Sequence, residues 1–350
     1  CDLAVGTCVP EASVVYASPD GMGTCSLAQP CALASAITLA TNAVVTPTVR
    51  MLPGTYDSSL EVRTPTAAPL EVVATQADIL VVGSVRAVVV KDGASVNIRN
   101  LSATGELLVQ CGNANAPFSS LSIRGASFKT AGAASVVDMT RCNLNLTDSE
   151  VSMNASGSAI TTSDDSSLRA DRVHMHANIV GATIIVAGAR TSVEITNSLL
   201  ENVFPAVFTS DTTSPGSRLT FAYDTFVLSH SLDQGAPGDI CEGSTVALRS
   251  VLFENSVLAS QGAFESVGNL NPLKCTFTNT ILSHQTGAPP GTIVVDPQFI
   301  DVANRDFHLK PSSPAIDIAV SGTINVGHDL DGTLRPQGSS PDLGAYEHHP

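Results

Sequence analysis

The chain has 350 residues and a net charge of −15, from 17 basic and 32 acidic side chains. A single globular core stops growing near this length, so the chain is expected to form two domains or a repeat array. With so few Lys and Arg, the composition argues against a nucleic-acid partner, whose phosphates require clustered positive charge. It also argues against unaided capture of a polyanion, which would need a local basic patch or bridging cations. No apolar run in the sequence reaches the length of a transmembrane helix.

The eight cysteines are even in number and occur at paired spacings. In an acidic chain with few lysines, this pattern predicts disulfides and a secreted or cell-surface protein. The spacing suggests the pairs Cys1–Cys8, Cys25–Cys31, Cys111–Cys142 and Cys241–Cys275. The alternative is that one or two of them are buried free thiols. Cys1 is compatible with a lipid-anchored N terminus and equally with a trimmed disulfide partner.

In chain order, the first predicted element is a helix. The segment CALASAITLATNA, residues 31–43, places Leu33, Ile37 and Ala40 on one face at helical spacing. A short helix there would cover the open end of the structure that begins with VRMLPGTYD at residues 49–57.

From residue 76 onward, short alternating segments recur about every 24 residues, and each ends at a turn residue. These turn residues are Gln76, Asn100, Gly125, Asp148, Arg172, Asn197, Asp224, Asn255 and Asn279. Side chains two and four residues before the turn are mostly apolar or small, and those one and three before it are mostly polar. Period-2 alternation therefore predicts that the first set points inward and the second set outward. Asn and Asp suit a left-handed turn, where stacked copies would form a polar ladder.

Repeats of about 24 residues with one strand segment per step predict an all-β fold, a right-handed parallel β-helix solenoid whose coils stack about 4.8 Å apart. Both ends depart from this period, as solenoid caps do. We expect a disulfide-rich segment with the capping helix at 1–48, coils at 49–290, and an irregular C-terminal cap at 291–350, rich in Pro, Gly and Asp.

Four segments carry a resemblance to a known group. VVYASPDGMGTCSLAQPCALASAI (14–37) and VRMLPGTY (49–56) resemble the N-terminal entry of bacterial secreted right-handed parallel β-helix proteins of the pectate-lyase-like kind. VDPQFIDVANRDFHLKPSSPAID (295–317) and DLDGTLRPQGSSPDLGAYE (329–347) are similar to their closing segment. The resemblance implies the fold over nearly the whole chain. It does not select an activity, because the group contains polysaccharide lyases and hydrolases as well as surface adhesins.

Outward columns of the predicted coils supply the first candidate site. The column three before the turn contains Arg169 and Glu194, and the column one before it contains Arg99, Arg124 and Asp171. Arg forks in a groove could bind carboxylates or hydroxyls of a sugar chain, so Arg99, Arg124, Asp171 and Glu194 are predicted to bind substrate. The alternative is a solvated sheet face with cross-strand pairs such as Arg169 with Glu194.

RADRVHMHAN, residues 169–178, is the densest polar stretch. His174 and His176 alternate with Met175, so both could face outward. Together with Arg169 they are the candidate catalytic residues, because His or Arg could remove a proton next to a uronate carboxylate. Lys129 and Glu201 occupy the same offset as His176 on neighbouring coils. The alternative is a pair of exposed, stacked histidines.

HDLDG, residues 328–332, places Asp329 and Asp331 ahead of a glycine turn. Alternating carboxylates of this kind can hold calcium, although the downstream Glu of a calcium-binding loop is absent, and a plain turn is the alternative. No motif requires a cofactor.

Two functional hypotheses follow. The first is an extracellular protein that binds polysaccharide or a cell-surface glycan along a groove of the coils; if it is an enzyme, it is a polysaccharide lyase or glycoside hydrolase. The second is a non-catalytic structural or adhesive surface protein that self-associates, since the sequence has a low density of charge and no recognisable catalytic set.

Overall fold

The computed structural model describes residues 9–45, 47–130, 132, 135–154, 157–178, 182–186, 190–207, 217–228, 250–260, 275–283, 288–322 and 324–349. They form an all-β parallel solenoid of about seven turns, as the repeat predicts. The predicted helix is confirmed as Leu33–Asn42, preceded by a 3-10 turn at Glu11–Ser13. Leu33, Ala36, Ile37 and Ala40 are the buried residues of the helix, and they cover the first rungs.

The described strands form three faces, and the rungs in the middle of the solenoid contribute to all three. The first face, before the turn residue, consists of Val14–Ala17, Thr48–Met51, Leu70–Ala74, Ser95–Arg99, Ser119–Arg124, Ser192–Thr196, Arg218–Ala222, Ser250–Glu254 and Cys275–Thr278. The second face, after it, consists of Gly54–Tyr56, Ala77–Leu80, Ser102–Gly105, Ser127–Thr130, Leu199–Glu201, Thr225–Leu228, Val257–Ser260, Thr280–Leu282 and Thr292–Val294. The long strands Cys142–Met153 and Ser167–Ala177 run through the turn and belong to both faces. The third face consists of Leu60–Val62, Arg86–Val90, Leu107–Gly112, Val137–Thr140, Ser158–Ser163, Ala182–Val186 and Val203–Val207.

The interior of the solenoid is made of stacked columns, as predicted from the alternation. On the first face Val96, Leu121, Leu144, Leu168 and Val193 are register partners on successive strands, and each is at most 1% exposed. Towards the C terminus the column two residues before the turn becomes aromatic. Phe253 stacks on Phe221 with ring centroids 5.0 Å apart and on Phe277 at 5.3 Å. Burial of these columns supplies the hydrophobic stabilisation that a repeat array needs.

The turn residues have the left-handed backbone predicted for them, with one correction. Eight of the nine have positive φ, among them Asn100 at 57°, Asp148 at 50° and Asn255 at 48°. At the remaining rung the left-handed residue is Tyr223, with φ 59°, and not Asp224. The register agrees, because Ala222 is the partner of both Thr196 and Glu254. The sequence favours Asp224 at this turn because Asp tolerates the left-handed conformation better than Tyr.

Tyr223 can occupy the left-handed turn position because burial of its ring offsets the backbone strain. The guanidinium of Arg335 lies 5.1 Å from the ring centroid, and only 4% of Tyr223 is exposed. The expected polar ladder forms only in part: Asn279 Nδ2 donates to Asn255 Oδ1 at 3.0 Å, and Arg172 Nε donates to Asp148 Oδ1 at 2.7 Å.

Asp224 belongs instead to a buried column of hydroxyl residues, one position after the turn. Ser198 and Ser256 each accept a hydrogen bond from an amide of the preceding rung and donate to the carbonyl two residues earlier in their own rung. Asp224 Oδ1 accepts from the Ser198 amide at 2.7 Å, whereas its buried Oδ2 has no partner among the described residues. A protonated Oδ2 would be a hydrogen-bond donor at the position where Ser198 and Ser256 have their hydroxyl donors. Burial raises the pKa of Asp224 well above its ordinary value, so the acid form fits this position.

Disulfides occur at two of the predicted pairs, Cys25–Cys31 and Cys111–Cys142. Cys275 is also disulfide-bonded. Cys1, Cys8 and Cys241 lie outside the described residues. The alternative of free thiols finds no example among the cysteines that the structure describes.

The closing segment, residues 295–349, folds back over the last rungs. It contains an antiparallel hairpin, Phe299–Asp301 with Asp306–Leu309, joined by a 3-10 turn at Val302–Asn304. It covers outward side chains of the solenoid that are apolar where the earlier rungs carry polar residues. This cluster comprises Leu199, Ala222, Tyr223, Val227, Val257, Ala259 and Ile281 from the solenoid, and Phe299, Phe307, Leu309, Ala315, Ala319 and Leu343 from the closing segment.

A buried ion pair organises the closing segment internally. Arg335 Nη1 donates to Glu347 Oε2 at 3.0 Å, and the two side chains are 0% and 1% exposed. Glu347 also accepts from the amides of Gln337 at 2.8 Å and Asp342 at 3.0 Å, and Arg335 donates to the Gly344 carbonyl at 2.6 Å. Such a pair holds its geometry because each charge would otherwise lie unpaired out of water.

The first prediction concerns Asp224. The pKa of Asp224 is higher in the folded protein than in the unfolded chain, where it is about 3.9. The stabilisation that Asp224 contributes is therefore complete below that unfolded-state pKa, and it is lost as the pH rises through the folded-state pKa. Across that interval the free energy of unfolding should fall by about 1.4 kcal/mol per pH unit relative to Asp224→Asn, which keeps the acceptor and adds a permanent donor. Urea unfolding at several pH values measures this difference. Asp138→Asn, on the third face, is the surface control, and parallel curves for wild type and Asp224→Asn would contradict the prediction.

The second prediction concerns the buried ion pair. Glu347→Gln leaves the Arg335 charge buried without its carboxylate, so the free energy of unfolding should drop by about 3–5 kcal/mol. The control is Glu71→Gln, which removes a partly exposed carboxylate 3.6 Å from Arg99 and should cost no more than about 1 kcal/mol. Chemical denaturation of both variants tests the contrast. Equal, small losses would mean that packing alone holds the closing segment.

Candidate functional site

The predicted outward columns of the first face are in the predicted register. Asn97, Ser122, Asn145, Arg169 and Glu194 are partners on successive strands. The neighbouring column consists of Arg99, Arg124, Thr147, Asp171 and Thr196. Sequence periodicity alone therefore placed these side chains on one surface.

Carboxylates partner the arginines of this surface. Arg169 lies beside Glu194, with Nε and Oε1 3.6 Å apart, although 69% of the arginine side chain is exposed. Arg99 meets Glu71 at 3.6 Å. A pair as exposed as Arg169–Glu194 contributes little stability, and Arg169 could exchange its carboxylate for a ligand group.

A tighter charge chain lies at the turn between the first and second faces. Asp148 accepts from Arg124 Nε at 2.9 Å and from Arg172 Nε at 2.7 Å, and Arg172 Nη1 reaches Asp171 at 2.6 Å. Burial opposes ionisation of Asp148, but the hydrogen bonds and charges of Arg172 and Arg124 outweigh it and lower its pKa. Asp171 is further held by Thr196 Oγ1 at 2.8 Å and Asn197 Nδ2 at 2.9 Å. These bonds fix the carboxylates of Asp148 and Asp171.

The two candidate histidines lie on the second face and both point outward, since Met175 between them is 0% exposed. Their ring centroids are 5.1 Å apart. His176 Nε2 lies 3.2 Å from Glu150 Oε1 of the preceding rung, and His174 Nε2 lies 2.5 Å from Glu201 Oε1 of the following rung. We call Glu150, His174, His176, Glu201 and Arg305 the histidine cluster.

Arg305 reaches the cluster from the closing segment. Its Nε donates to Glu201 Oε2 at 2.9 Å and its Nη2 to Glu201 Oε1 at 2.7 Å, a bidentate pair between residues 104 positions apart. The Glu201 side chain is only 6% exposed. Burial opposes its ionisation, but the hydrogen bonds from His174 and Arg305 outweigh this and lower the pKa of Glu201. Because an ionised carboxylate only accepts, His174 Nε2 must carry the proton of their bond.

His176 is held in one neutral form. Burial lowers its pKa, and the neighbouring His174 lowers it further, against the opposing effect of Glu150. Its Nδ1 is buried and has no partner among the described residues. A proton there would be an unsatisfied donor, so the proton belongs on Nε2, which faces Glu150.

A pocket of about 490 Å³ adjoins the cluster, and Glu201 and Arg305 form part of its wall. The other lining residues are Ala177, Asn178 and Asn202 of the solenoid and Val302 and Ala303 of the closing segment. This volume is within the range of small-molecule sites, and the walls offer amides, a carboxylate and a guanidinium.

The two predicted calcium ligands, Asp329 and Asp331, differ in burial and in their hydrogen-bond partners. Asp329 is 1% exposed and its two oxygens accept from the amides of Thr333 at 2.7 Å and Glu347 at 2.8 Å. Asp331 is exposed and its Oδ2 lies 2.7 Å from His308 Nε2. Within the described part of the chain, no three His, Cys, Asp or Glu side chains are grouped so that they could hold a metal ion. Calcium binding at this turn stays a prediction.

The structure thus separates the predicted catalytic residues. His174 and His176 lie together on the second face, whereas Arg169 is on the first face, across the Arg172 turn. Glu201 is the immediate register partner of His176, but Lys129 is two rungs away, with Ser152 between them. Sequence reasoning missed Glu150, which register with His174 could have revealed, and Arg305, for which the repeat gives no signal.

Comparisons with known proteins bear on the fold. No family model matches the sequence, and a search of curated proteins finds no match. Among solved structures, the crystal structure of pectate lyase Pel9A is similar, with a TM-score of 0.60 and 14% identity over 99% of this chain and 99% of that chain. The chain therefore has a pectate-lyase-like parallel β-helix fold.

Proposed function

We propose that the protein binds polysaccharide outside the cell, on the second face where the closing segment ends. The observation that carries the proposal is the pocket of about 490 Å³ whose wall includes the Glu201–Arg305 pair beside two outward histidines. Sugar hydroxyls both donate and accept, and the guanidinium and asparagine amides of the pocket can satisfy them with defined geometry.

The surroundings of the pocket support a chain-like ligand over a single small molecule. Rungs repeat in register along the solenoid, so an extended glycan lying parallel to the axis would meet Glu150 and Ser152 on the rung next to the histidines and Lys129 on the rung after that. Lys129 is exposed and would give a carboxylated sugar a local cation in an otherwise acidic chain. The similarity of fold to a pectate lyase supports the same ligand class.

An extracellular location is part of the proposal. The disulfides Cys25–Cys31 and Cys111–Cys142 are of the kind retained in oxidising compartments. None of the described helices is both long and apolar enough to span a membrane. A lipid attached at Cys1 would place the same solenoid on a cell surface.

Cleavage would use His174 as the proton acceptor. With Nε2–H held by Glu201, the Nδ1 lone pair is the basic site, an arrangement in which a carboxylate orients the base. For a uronate chain, Nδ1 would take the proton beside the sugar carboxylate, the bond to the departing glycosidic oxygen would break, and that oxygen would receive the proton. The products are an unsaturated chain end and a new hydroxyl end, with no co-reactant consumed.

The third prediction tests this site. Across a panel of polyuronates and neutral polysaccharides, each with and without calcium, wild type should bind at least one class. His174→Gln should weaken that binding by about twofold to tenfold, since one hydrogen bond contributes about 0.5–1.5 kcal/mol. Any release of unsaturated ends should slow at least about 100-fold. The matched control, Arg63→Gln, removes an exposed arginine that pairs with Glu61 on the third face, and it should stay within about threefold of wild type.

The absence of both binding and cleavage would contradict the proposal. Wild type that neither binds nor cleaves any member of the panel, in affinity electrophoresis and in product assays, would leave the structural or adhesive role as the better account. Analytical ultracentrifugation then tests that role, which requires self-association or a surface partner.

A further inference from the structure

We propose that Arg305 is a positioning residue for the histidine cluster: its bidentate contact with Glu201 fixes the orientation of His174, and its positive charge helps to keep His176 neutral. The consequence for polysaccharide turnover rests on the proposed function, whereas the state of the histidines does not.

The contacts of Glu201 define what Arg305 does. Both carboxylate oxygens are occupied, Oε2 by Arg305 Nε at 2.9 Å and Oε1 by Arg305 Nη2 at 2.7 Å and His174 Nε2 at 2.5 Å. With its side chain 6% exposed, Glu201 has little access to a ligand proton. Its role is therefore to hold the imidazole, and the planar fork of arginine fixes the plane of the carboxylate that does so.

The charge of Arg305 explains why its bidentate contact with Glu201 matters for the histidine cluster. A buried carboxylate with an imidazole as its sole partner would draw a proton onto that ring, since the ion pair avoids an uncompensated charge. Arg305 already supplies one positive charge to Glu201. His174 then only has to donate one hydrogen bond to a carboxylate whose charge Arg305 already balances.

His176 responds to the same charge. The groups that face it are Glu150 from the preceding rung, His174 on its own strand, Glu201 from the following rung and Arg305 from the closing segment. Burial is the largest influence that lowers its pKa, and the positive charge of Arg305 acts in the same direction. The orphaned, buried Nδ1 independently requires the neutral ring.

Arg305 connects this state to the docking of the closing segment. It lies directly after the Val302–Asn304 turn, in a left-handed conformation with φ 62°, and immediately before the strand Asp306–Leu309. That strand packs on the solenoid through Phe307 and Leu309, which are 1% and 4% exposed. The closing segment therefore completes the cluster as well as covering the last rungs.

The fourth prediction is read by nitrogen NMR of imidazole-labelled protein without any glycan. In wild type near neutral pH, His176 should be neutral with its proton on Nε2. Arg305→Gln should move the titration midpoint of His176 upward, and Arg305→Lys, which keeps the charge, should restore it towards wild type. Arg169→Gln removes the same charge from the first face and should leave both histidines unchanged.

Two results would overturn the inference. One is a folded Arg305→Gln variant whose His176 titrates as in wild type, which would reduce Arg305 to an anchor of the closing segment. The other needs no variant: wild type with His176 doubly protonated near neutral pH, or protonated on Nδ1. The proposed function can fail by itself: the protein would then bind no polysaccharide, while the NMR spectra would still show the pattern predicted here. The two failures are therefore distinguishable.

Discussion

In-register parallel stacking of the rungs is the constraint on which the rest of this structure depends. Each rung repeats the backbone hydrogen bonds of its neighbour, and in the nine rungs from Gln76 to Asn279 one left-handed residue bends the chain between the first and second faces. A slip of one residue would exchange the interior for the exterior, because side chains alternate with period two. The register therefore fixes which residues can meet. Glu150 lies beside His174, and His176 lies beside Glu201, as direct consequences of it.

The same stacking gives the two faces different chemistry. On the first face, stacking sets arginines opposite carboxylates, as in Arg169 with Glu194, and the charges largely cancel along the surface. On the second face the solenoid supplies Glu201 with a histidine, and the balancing guanidinium comes from outside the repeat, on Arg305. A buried, fully coordinated carboxylate results where a repeat alone would leave an exposed one. This is the physical reason for placing the candidate site beside the closing segment.

Sequence periodicity predicted the columns because a strand's alternation and a coil's length are local properties. It therefore predicted the interior of the solenoid, the outward direction of His174 and His176, and the Arg169–Glu194 pair. It was wrong at Asp224, where turn preferences favoured Asp over Tyr223; the deciding contact is the Arg335 guanidinium, 5.1 Å from the Tyr223 ring. It could not predict Arg305 on Glu201, because a contact across 104 residues depends on how the closing segment docks and not on any repeat.

The measurement that tests the account most directly is the structure of the full chain with a bound oligosaccharide from the class selected by the binding panel. The account predicts sugar density in the pocket walled by Glu201 and Arg305, continuing along the second face past His174 and Glu150 parallel to the solenoid axis. It also predicts that the Arg305 fork on Glu201 is retained in the complex. Density confined to the first or third face, with the histidine cluster unoccupied at saturating ligand, would contradict it.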